Sequence, residues 1–366
     1  MRNFHFTILL PFVFIQGIFF QSVNGQQIEK TNKSPKYPNY KLKVEKLLEF
    51  GSGDLNKEKY LLGRAADIAI DSHGNVYICD DLFVEIKKFD KNGKYIKTIG
   101  SGKGRGPGEF ITPRRIQLDE NDNLFVLDYE LRRLTQFDQS GVFLKTLPIK
   151  IMKACEFQIH KGLAYIVGFR LYGTRPIHKI DFKTEQLVGM FGNRTADSLL
   201  IARIGNGPHI VLNSEDVIYY ADYFPYRISV LSSEGKPINS FSRKASFIRP
   251  PHEVPSPTRP NSFLMQSGGG IRDISLYATV FPMVLVNRRP ISYEKGEKTI
   301  QYIDIFDSSG NWIITIPIEK YFSNHWTRQI LSDKNGNIYL TSDDPFPHVE
   351  KFSIDLRDEN GNVIMQ

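Results

Sequence analysis

The chain has 366 residues, of which 41% are hydrophobic and 24% are charged, and it carries a net charge of +7. This composition supports a large buried core, and two cysteines are too few for a disulfide-rich scaffold. The positive charge favours anionic ligands or surfaces, but there is no basic helix or stacking motif of the kind that binds nucleic acid.

The chain begins with a segment typical of export. Arg2 precedes an apolar run over residues 6–20, and Val23, Asn24 and Gly25 offer a cleavage site, so residues 1–25 are predicted to be a signal peptide. Pro11 and Gln16 interrupt the run, which argues against a stable membrane span. Residues 26–40 are polar and predicted to be a flexible lead-in to a single domain over 41–366. The expected location is secreted, periplasmic or in the cell envelope.

The next segment repeats itself after 48 residues. Residues 66–100 and 114–147 align so that Asp71 matches Asp119, Asp80 matches Asp128, and Gly93 matches Gly141. A period of this size indicates an array of similar supersecondary units.

Each unit contains four short apolar runs, at 68–70, 76–79, 84–89 and 95–99 in the first copy. They are rich in Val, Ile, Tyr and Phe and are joined by Asp/Asn-Gly turns, which predicts four antiparallel strands. Six copies can be traced, the third and fifth being degenerate and the fifth stretched by a polar insertion near 292–299. The predicted fold is all-β, a six-bladed β-propeller of four-stranded antiparallel blades.

One segment carries a family resemblance. The pattern G-x-F-x-x-P-x-x-I-x-x-D-x-x-x-N-L-x-V-x-D over residues 108–128 resembles the NHL repeat, and the chain from about residue 41 onwards is similar to secreted bacterial six-bladed propellers. The resemblance implies the fold, but propellers of this kind serve binding, scaffolding and several enzyme chemistries.

Ring closure is assigned to the N-terminal end of the domain. Residues 43–53 match the fourth strand and exit loop of a blade, yet no first three strands precede them. We expect this strand to complete the sixth blade and remove an open sheet edge, in preference to residues 362–365.

Several polar motifs are predicted to be structural. The glycine-rich run 100–108 lies at the crossover between blades 1 and 2 and lacks the Lys-Ser/Thr and helix of a phosphate loop. The Asp-rich segments that begin at Asp119 and Asp333 lack the glycine and the distal glutamate of a calcium-binding loop. The aspartates that end second strands are expected to bind the backbone of the following loop: Asp80, Asp128, Asp222 and Asp343.

Cys79 and Cys155 fall in blades that are not neighbours, so no disulfide is expected.

The sharpest candidate site comes from comparing one position across the blades. The slot where the first strands begin holds Ala66, Arg114, Cys155, Pro208, Arg272 and Arg328. The next slot holds Asp67, Arg115, Glu156, His209, Asp273 and Gln329. The first strands line the channel, so three arginines should converge at this end of it, where guanidinium groups suit carboxylate or phosphate.

Two further features each allow two interpretations. Tyr223 and Tyr226 lie in a loop between second and third strands, where they either stack on a ligand or pack between blades. The Pro-rich segment 242–270 interrupts the repeat, as a binding loop or lid does, although a solvated excursion also fits.

The first functional hypothesis is an exported, monomeric binding module for an anionic small molecule, glycan or protein segment, without a cofactor. Its ligand residues would be Arg114, Arg115, Arg272, Arg328, His209, Tyr223 and Tyr226. The alternative is a hydrolase, lactonase or lyase with a divalent metal on Asp67, Glu156, His209 and Asp273, although the arginines would repel a cation. A third possibility is a protein-docking scaffold.

Overall fold

The structure is a computed structural model. It describes residues 29–169, 175–193, 208–246, 252–255, 263–266, 269–288, 299–322 and 326–365. The predicted signal peptide at 1–25 lies outside the described residues, as does most of the polar insertion near 292–299. No helix among the described residues has the length and apolar character to span a membrane.

Six four-stranded antiparallel sheets form the blades. Blade 1 consists of β3 (Ala65–Ile70), β4 (Val76–Asp80), β5 (Glu85–Phe89) and β6 (Tyr95–Ile99). Blade 2 consists of β7 (Pro113–Leu118), β8 (Leu124–Asp128), β9 (Arg133–Phe137) and β10 (Phe143–Pro148). Blade 3 consists of β11 (Met152–His160), β12 (Leu163–Phe169), β13 (Ile177–Asp181) and β14 (Leu187–Phe191).

The second half of the ring repeats the plan. Blade 4 consists of β15 (His209–Leu212), β16 (Ile218–Asp222), β17 (Arg227–Leu231) and β18 (Pro237–Arg243). Blade 5 consists of β21 (Gly269–Tyr277), β22 (Phe281–Arg288), β23 (Ile300–Phe306) and β24 (Trp312–Pro317). Blade 6 consists of β25 (Ile330–Ser332), β26 (Ile338–Ser342), β27 (His348–Asp358) and, as its outer strand, β2 (Tyr40–Phe50). The predicted six-bladed propeller is confirmed.

Helical structure is confined to two short elements among the described residues: a 3-10 turn (Glu58–Tyr60) and α1 (Ile318–Tyr321). Between blades 4 and 5, β19 (His252–Pro255) and β20 (Phe263–Gln266) pair as an antiparallel hairpin inside the predicted insertion 242–270. The other prolines of that insertion lie outside the described residues.

The apolar core is divided into layers between neighbouring blades. Strand alternation sends apolar side chains to both faces of every sheet, and each face packs on the next blade. The layer between blades 6 and 1, for example, joins Phe50 and Tyr339 to Val76, Ile78 and Phe89. Five further clusters fill the other interfaces. This arrangement keeps the centre of the ring free for a channel.

The ring closes through its N-terminal strand, as the repeat pattern predicts. β2 pairs antiparallel with β27 from Tyr40 opposite Asp358 to Phe50 opposite Val349. The competing C-terminal segment contributes only an isolated bridge between Arg357 and Val363.

A strand that the sequence did not reveal precedes this closure. β1 (Glu29–Asn32) pairs parallel with β18 of blade 4, from Glu29 opposite Ser240 to Asn32 opposite Arg243. The chain then crosses blade 5, where Lys36 N donates to Trp312 O at 2.8 Å. Residues 29–39, called the strap from here on, thus join blades 4, 5 and 6 along their outer edges, where a flexible lead-in was expected.

The Asp and Gly residues of the repeat are turn formers. Asp71 Oδ1 accepts the backbone N–H groups of His73 and Asn75, and the same pattern recurs at Asp119 and Asp333. Because these carboxylates are engaged by their own turns, the structure bears out the turn interpretation over a calcium loop.

Asp80 and Asp128 at the ends of second strands bind backbone as predicted, whereas Asp222 accepts the Tyr220 hydroxyl and the prediction for Asp343 needs correction. Asp80 accepts N–H groups from Gly63 and Arg64 before the first strand and from Leu82 and Phe83 after the second. In blade 6 this register position is held by Ser342. The prediction for Asp343 was therefore wrong, because that residue lies one position further on and pairs with Arg328.

Both cysteines are free thiols, as predicted. Cys79 is fully buried, and its burial raises the pKa of the thiol. It therefore acts as a small apolar core residue.

Candidate functional site

Six polar side chains, one from each blade, meet inside the central channel: five lie in first strands, and Gln329 directly precedes β25. Five of them are buried and the sixth, Arg115, has only 12% of its side chain exposed. The members of this channel ring are Asp67, Arg115, Glu156, His209, Asp273 and Gln329. They are the six residues of the second slot in the sequence comparison.

Bulges in the first strands position the ring. The ladder register shifts between Ala65 and Asp67 in β3, between Pro113 and Arg115 in β7, and just before the ring residue in β11 and β21. A bulge adds one residue and increases the local twist, which turns the following side chain away from the regular pleat. The extra residue in blades 2 and 5 is the predicted arginine of the first slot.

The ring residues bind one another across the blade interfaces. Arg115 Nε lies 2.9 Å from Glu156 Oε2, and His209 Nδ1 lies 3.3 Å from the same oxygen and 3.5 Å from Asp273 Oδ1. The Gln329 amide, oriented to satisfy its neighbours, donates to Asp273 Oδ2 at 2.8 Å and accepts from Arg115 Nη1 at 2.7 Å. Five of the six ring residues thus form a connected polar network across the channel.

Backbone groups also bind the two aspartates of the ring. Ile116 N donates to Asp67 Oδ2 at 2.8 Å, and Ile330 N donates to Asp273 Oδ2 at 2.9 Å. Each bond joins an aspartate to the first strand of the following blade. These bonds fix the ring residues on rigid strands, where a binding site is held most precisely.

Three carboxylates share one guanidinium, and their pKa values diverge. Burial raises the pKa of Asp67 to about 7 against the attraction of Arg115, and burial also raises the pKa of Asp273 well above its usual value. At Glu156, Arg115 and the hydrogen bond from His209 overcome burial and lower the pKa. Burial lowers the pKa of His209. The ring therefore combines one ion pair with an imidazole and two carboxyls whose charged forms are disfavoured by burial.

Part of the ring has the donor set of a metal site. Candidate ligand atoms of Glu156, His209 and Asp273 lie within 4.8 Å of one another. Imidazole and carboxylate suit zinc and other divalent ions. Arg115 competes directly, because it already binds Glu156 and would lie beside the ion.

A cavity of about 540 Å³ occupies the channel on one side of the ring. Its floor includes Asp67, Glu156, Asp273 and Gln329, and its opening lies among the turns between first and second strands, such as those at Asp71 and Asp333. The walls carry branched apolar side chains, one or three residues beyond the ring: Ile68, Ile70, Ile116, Ile210, Ile274 and Ile330.

The opening of the cavity carries basic side chains. Lys91 and Lys334 are exposed there, and neither makes an ion pair with any residue that the structure describes. Lys351 Nζ lies 3.6 Å from an oxygen of Asp333. The rim therefore offers two uncompensated positive charges above an apolar wall.

The three predicted arginines do not line this cavity. Arg114 is exposed, with Cζ 5.9 Å from the Tyr129 ring, and Arg272 is half-buried. Arg328 donates from Nε and Nη2 to Asp343 at 2.8 and 2.6 Å. Because each precedes its ring residue along the strand, the arginines lie towards the other end of the channel, and the ring separates them from the cavity.

The predicted tyrosines are packed between blades. Tyr223 is 2% exposed and Tyr226 is 6% exposed. The Tyr226 hydroxyl donates to Asp304 Oδ2 of blade 5 at 2.7 Å. The packing alternative in the sequence interpretation is the one that the structure supports.

Alignment of the repeats within the sequence identified the channel-ring residues but not the residues at the opening of the cavity. The ring residues share one repeat position, whereas the cavity depends on lysines from different turns. Lys91 follows a third strand and Lys334 follows a first strand, so no single repeat position unites them. The feature that distinguishes these lysines is that they lack an acidic partner among the described residues. This feature depends on tertiary contacts, so the sequence does not show it.

Comparisons with solved structures agree with the fold. The chain is similar to a member of the duf4221 family from Bacteroides vulgatus, at 12% identity and TM-score 0.56 over 86% of this chain and 96% of that one. It is also similar to a putative exported protein from Bacteroides fragilis, at 14% identity and TM-score 0.56 over 89% and 98%. A streptogramin B lyase matches at 11% identity and TM-score 0.50 over 88% and 100%.

No curated protein matches the chain in sequence. The narrower resemblance to the NHL repeat remains a prediction. A family model described as a six-bladed β-propeller, DUF5128, matches residues 55–238. This match spans half of the chain, which therefore belongs to that six-bladed β-propeller family.

Proposed function

We propose that this chain is a binding protein that holds a small molecule with an apolar body and an anionic group in the cavity beside the channel ring. The observation that carries the proposal is the cavity itself. Its volume of about 540 Å³ falls within the range of ligand pockets, and its floor is a rigid polar network. Apolar walls with a few polar groups are typical of such pockets.

The lysines at the opening of the cavity indicate that the ligand is anionic. Lys91 and Lys334 carry positive charge at the opening without an acidic partner among the described residues, so an anion there would gain attraction at little desolvation cost. The isoleucine walls then contact the apolar part of the ligand. This assignment keeps the anionic ligand of the sequence hypothesis but moves it to the opposite side of the ring from Arg114.

The state of the ring favours binding over chemistry. Arg115, Glu156 and Gln329 satisfy one another, and Asp67 and Asp273 each accept a backbone N–H. A catalytic acid or base needs to reach its substrate, and these groups are already engaged. The network serves best as a fixed floor. We further propose that the chain is exported, in line with its N-terminal sequence, and that it acts as a monomer.

A second candidate function is a metal-dependent lyase or hydrolase. The donor set of Glu156, His209 and Asp273 favours it, and a streptogramin B lyase has a similar fold. A divalent ion bound there would act as a Lewis acid. For that to occur, Arg115 would have to release Glu156.

Calorimetric titration with alkanoates from acetate to decanoate tests the proposal. We expect affinity to rise with chain length and to fall by about tenfold or more in the variant Lys91→Glu/Lys334→Glu, because charge reversal repels the carboxylate. Arg114→Glu, a matched reversal beyond the ring, should bind as the unaltered chain does.

Two results would overturn the assignment. Loss of binding in Arg114→Glu but not in the rim variant would move the site to the arginine end of the channel. Tight zinc or calcium binding that His209→Ala abolishes would favour the metal enzyme.

A further inference from the structure

A second concave surface lies on the outer edge of the propeller, where the strap crosses blade 5. Lys36 N and Tyr37 N donate to the carbonyl oxygens of Trp312 and Ile313 at 2.8 and 3.1 Å, which attaches the strap to β24. The chain then enters β2 of blade 6. Between the strap, β24 and α1 lies a groove of about 670 Å³, which we call the edge groove.

Tyrosine side chains line the edge groove, and two of them are held in place. Tyr40 donates its hydroxyl to Thr315 O at 2.7 Å, and its ring centroid lies 6.4 Å from that of Tyr321. Tyr37 is the third. All three are partly exposed, so they offer contact area, and Tyr40 and Tyr321 are also held in position. Rings fixed in this way bind a ligand with a small loss of side-chain entropy.

The charge of the edge groove is positive. Lys41 and Lys320 line it and are exposed, and Lys36 lies beside it with Nζ 5.1 Å from the Tyr37 ring centroid. Among the described lining residues the only exposed acid is Glu359.

The other charge in the groove is compensated. Arg243 is buried at the base, where its Nε lies 2.6 Å from Asp304 Oδ2, so this guanidinium adds no net charge. The lysines therefore determine the field at the groove, and it favours an anionic partner.

We propose that the edge groove binds an acidic oligosaccharide. A sugar ring has an apolar face of C–H groups that packs on an aromatic ring, while its hydroxyl groups reach polar atoms at the ring's edge, and tyrosine provides both. Carboxylates along the sugar chain would pair with Lys41 and Lys320. An open groove also suits a polymer that continues beyond the site. A proline-rich peptide would use the same tyrosines but would leave the lysines without partners.

The test uses the purified chain and tetragalacturonate, with its methyl ester and a neutral proline-rich peptide as comparison ligands. We expect binding of tetragalacturonate to weaken about tenfold or more in Tyr321→Ala and in Lys41→Glu/Lys320→Glu. The methyl ester, which lacks the charges, should bind about tenfold more weakly than the acid. Lys94→Glu/Lys236→Glu reverses two exposed lysines on the outer turns of blades 1 and 4 and should bind tetragalacturonate normally.

Three results would overturn the proposal: no binding of tetragalacturonate, equal binding of acid and ester, or equal loss in the control variant. Tighter binding of the peptide than of the sugar would assign the groove to proline-rich partners instead. Circular dichroism of each variant shows whether it is folded, and Lys320→Gln, an exposed neutralisation, provides a milder second measurement. Alkanoate binding in the central cavity should persist in all groove variants, so the two sites can fail independently.

Discussion

Arg115 Nε of blade 2 lies 2.9 Å from Glu156 Oε2 of blade 3, and this ion pair is the centre of the polar network inside the propeller. The guanidinium is largely shielded from solvent, because only 12% of the Arg115 side chain is exposed. Two further carboxyls, Asp67 and Asp273, respond to its charge. The pair thus links folding stability to the floor of the proposed binding cavity.

Removing the guanidinium should destabilise the fold strongly. Arg115→Met leaves Glu156 buried without its partner, and breaking a buried ion pair from one side costs about 3–5 kcal/mol. Urea unfolding measures the loss. Arg105→Met is the matched control, because Arg105 is 75% exposed and lies 3.9 Å from Glu130, and its effect should stay below about 1 kcal/mol. Equal effects of the two substitutions would refute the role of Arg115.

Stability should fall as the pH rises through the pKa of Asp67. Its carboxyl has an ordinary pKa of 3.8 and a folded value of about 7, so between these values the folded state holds a proton that the unfolded state has lost. The contribution is fully present below the lower value and disappears above the higher one. Each pKa unit corresponds to about 1.4 kcal/mol.

The variant Asp67→Asn isolates this effect, because its amide oxygen can still accept the N–H of Ile116 without titrating. Unfolding free energies measured from about pH 4.5 to about pH 8 should decline more steeply in the unaltered chain than in the variant. Parallel pH profiles would contradict the raised pKa.

We expect the aspartate at the end of a second strand to stabilise the fold only where its carboxylate accepts backbone N–H groups. Asp80→Ala leaves the N–H groups of Gly63, Arg64, Leu82 and Phe83 without their acceptor, at an expected cost of about 2–4 kcal/mol. Asp343→Ala removes only a surface pair and should cost less than about 1 kcal/mol. Thermal unfolding midpoints compare the two, and a larger drop for Asp343→Ala would show that the blade 6 assignment is mistaken.

The strap should contribute to stability through Asn32. Its Nδ2 donates to Ser242 O and to Gly310 O, both at 2.9 Å, and its Oδ1 accepts from Trp312 N at 3.2 Å, which ties blade 4 to blade 5. Asn32→Ala should cost about 1–3 kcal/mol in urea unfolding. Lys33→Ala, the exposed neighbour, should change the free energy by less than about 0.5 kcal/mol. No difference between them would mean that the strap is dispensable.

The sequence alone determined the architecture. The 48-residue repeat aligns Asp71 with Asp119 and Asp80 with Asp128. It reflects local turns and strand alternation, which depend on neighbouring residues along the chain. The same repeat placed the six channel-ring residues at one repeat position. It also predicted that the strand observed as β2 closes the ring of blades. These features repeat, so six copies of a weak signal reinforce one another.

Tertiary structure decided what does not repeat. The parallel pairing of β1 with β18 and the burial of Tyr223 and Tyr226 depend on residues far apart in the chain. So does the side of the ring on which the cavity opens, since Lys91 and Lys334 line one cavity only when the blades close into a circle. Local periodicity is encoded in spacing, whereas charge compensation and cavity shape arise only from packing the blades together.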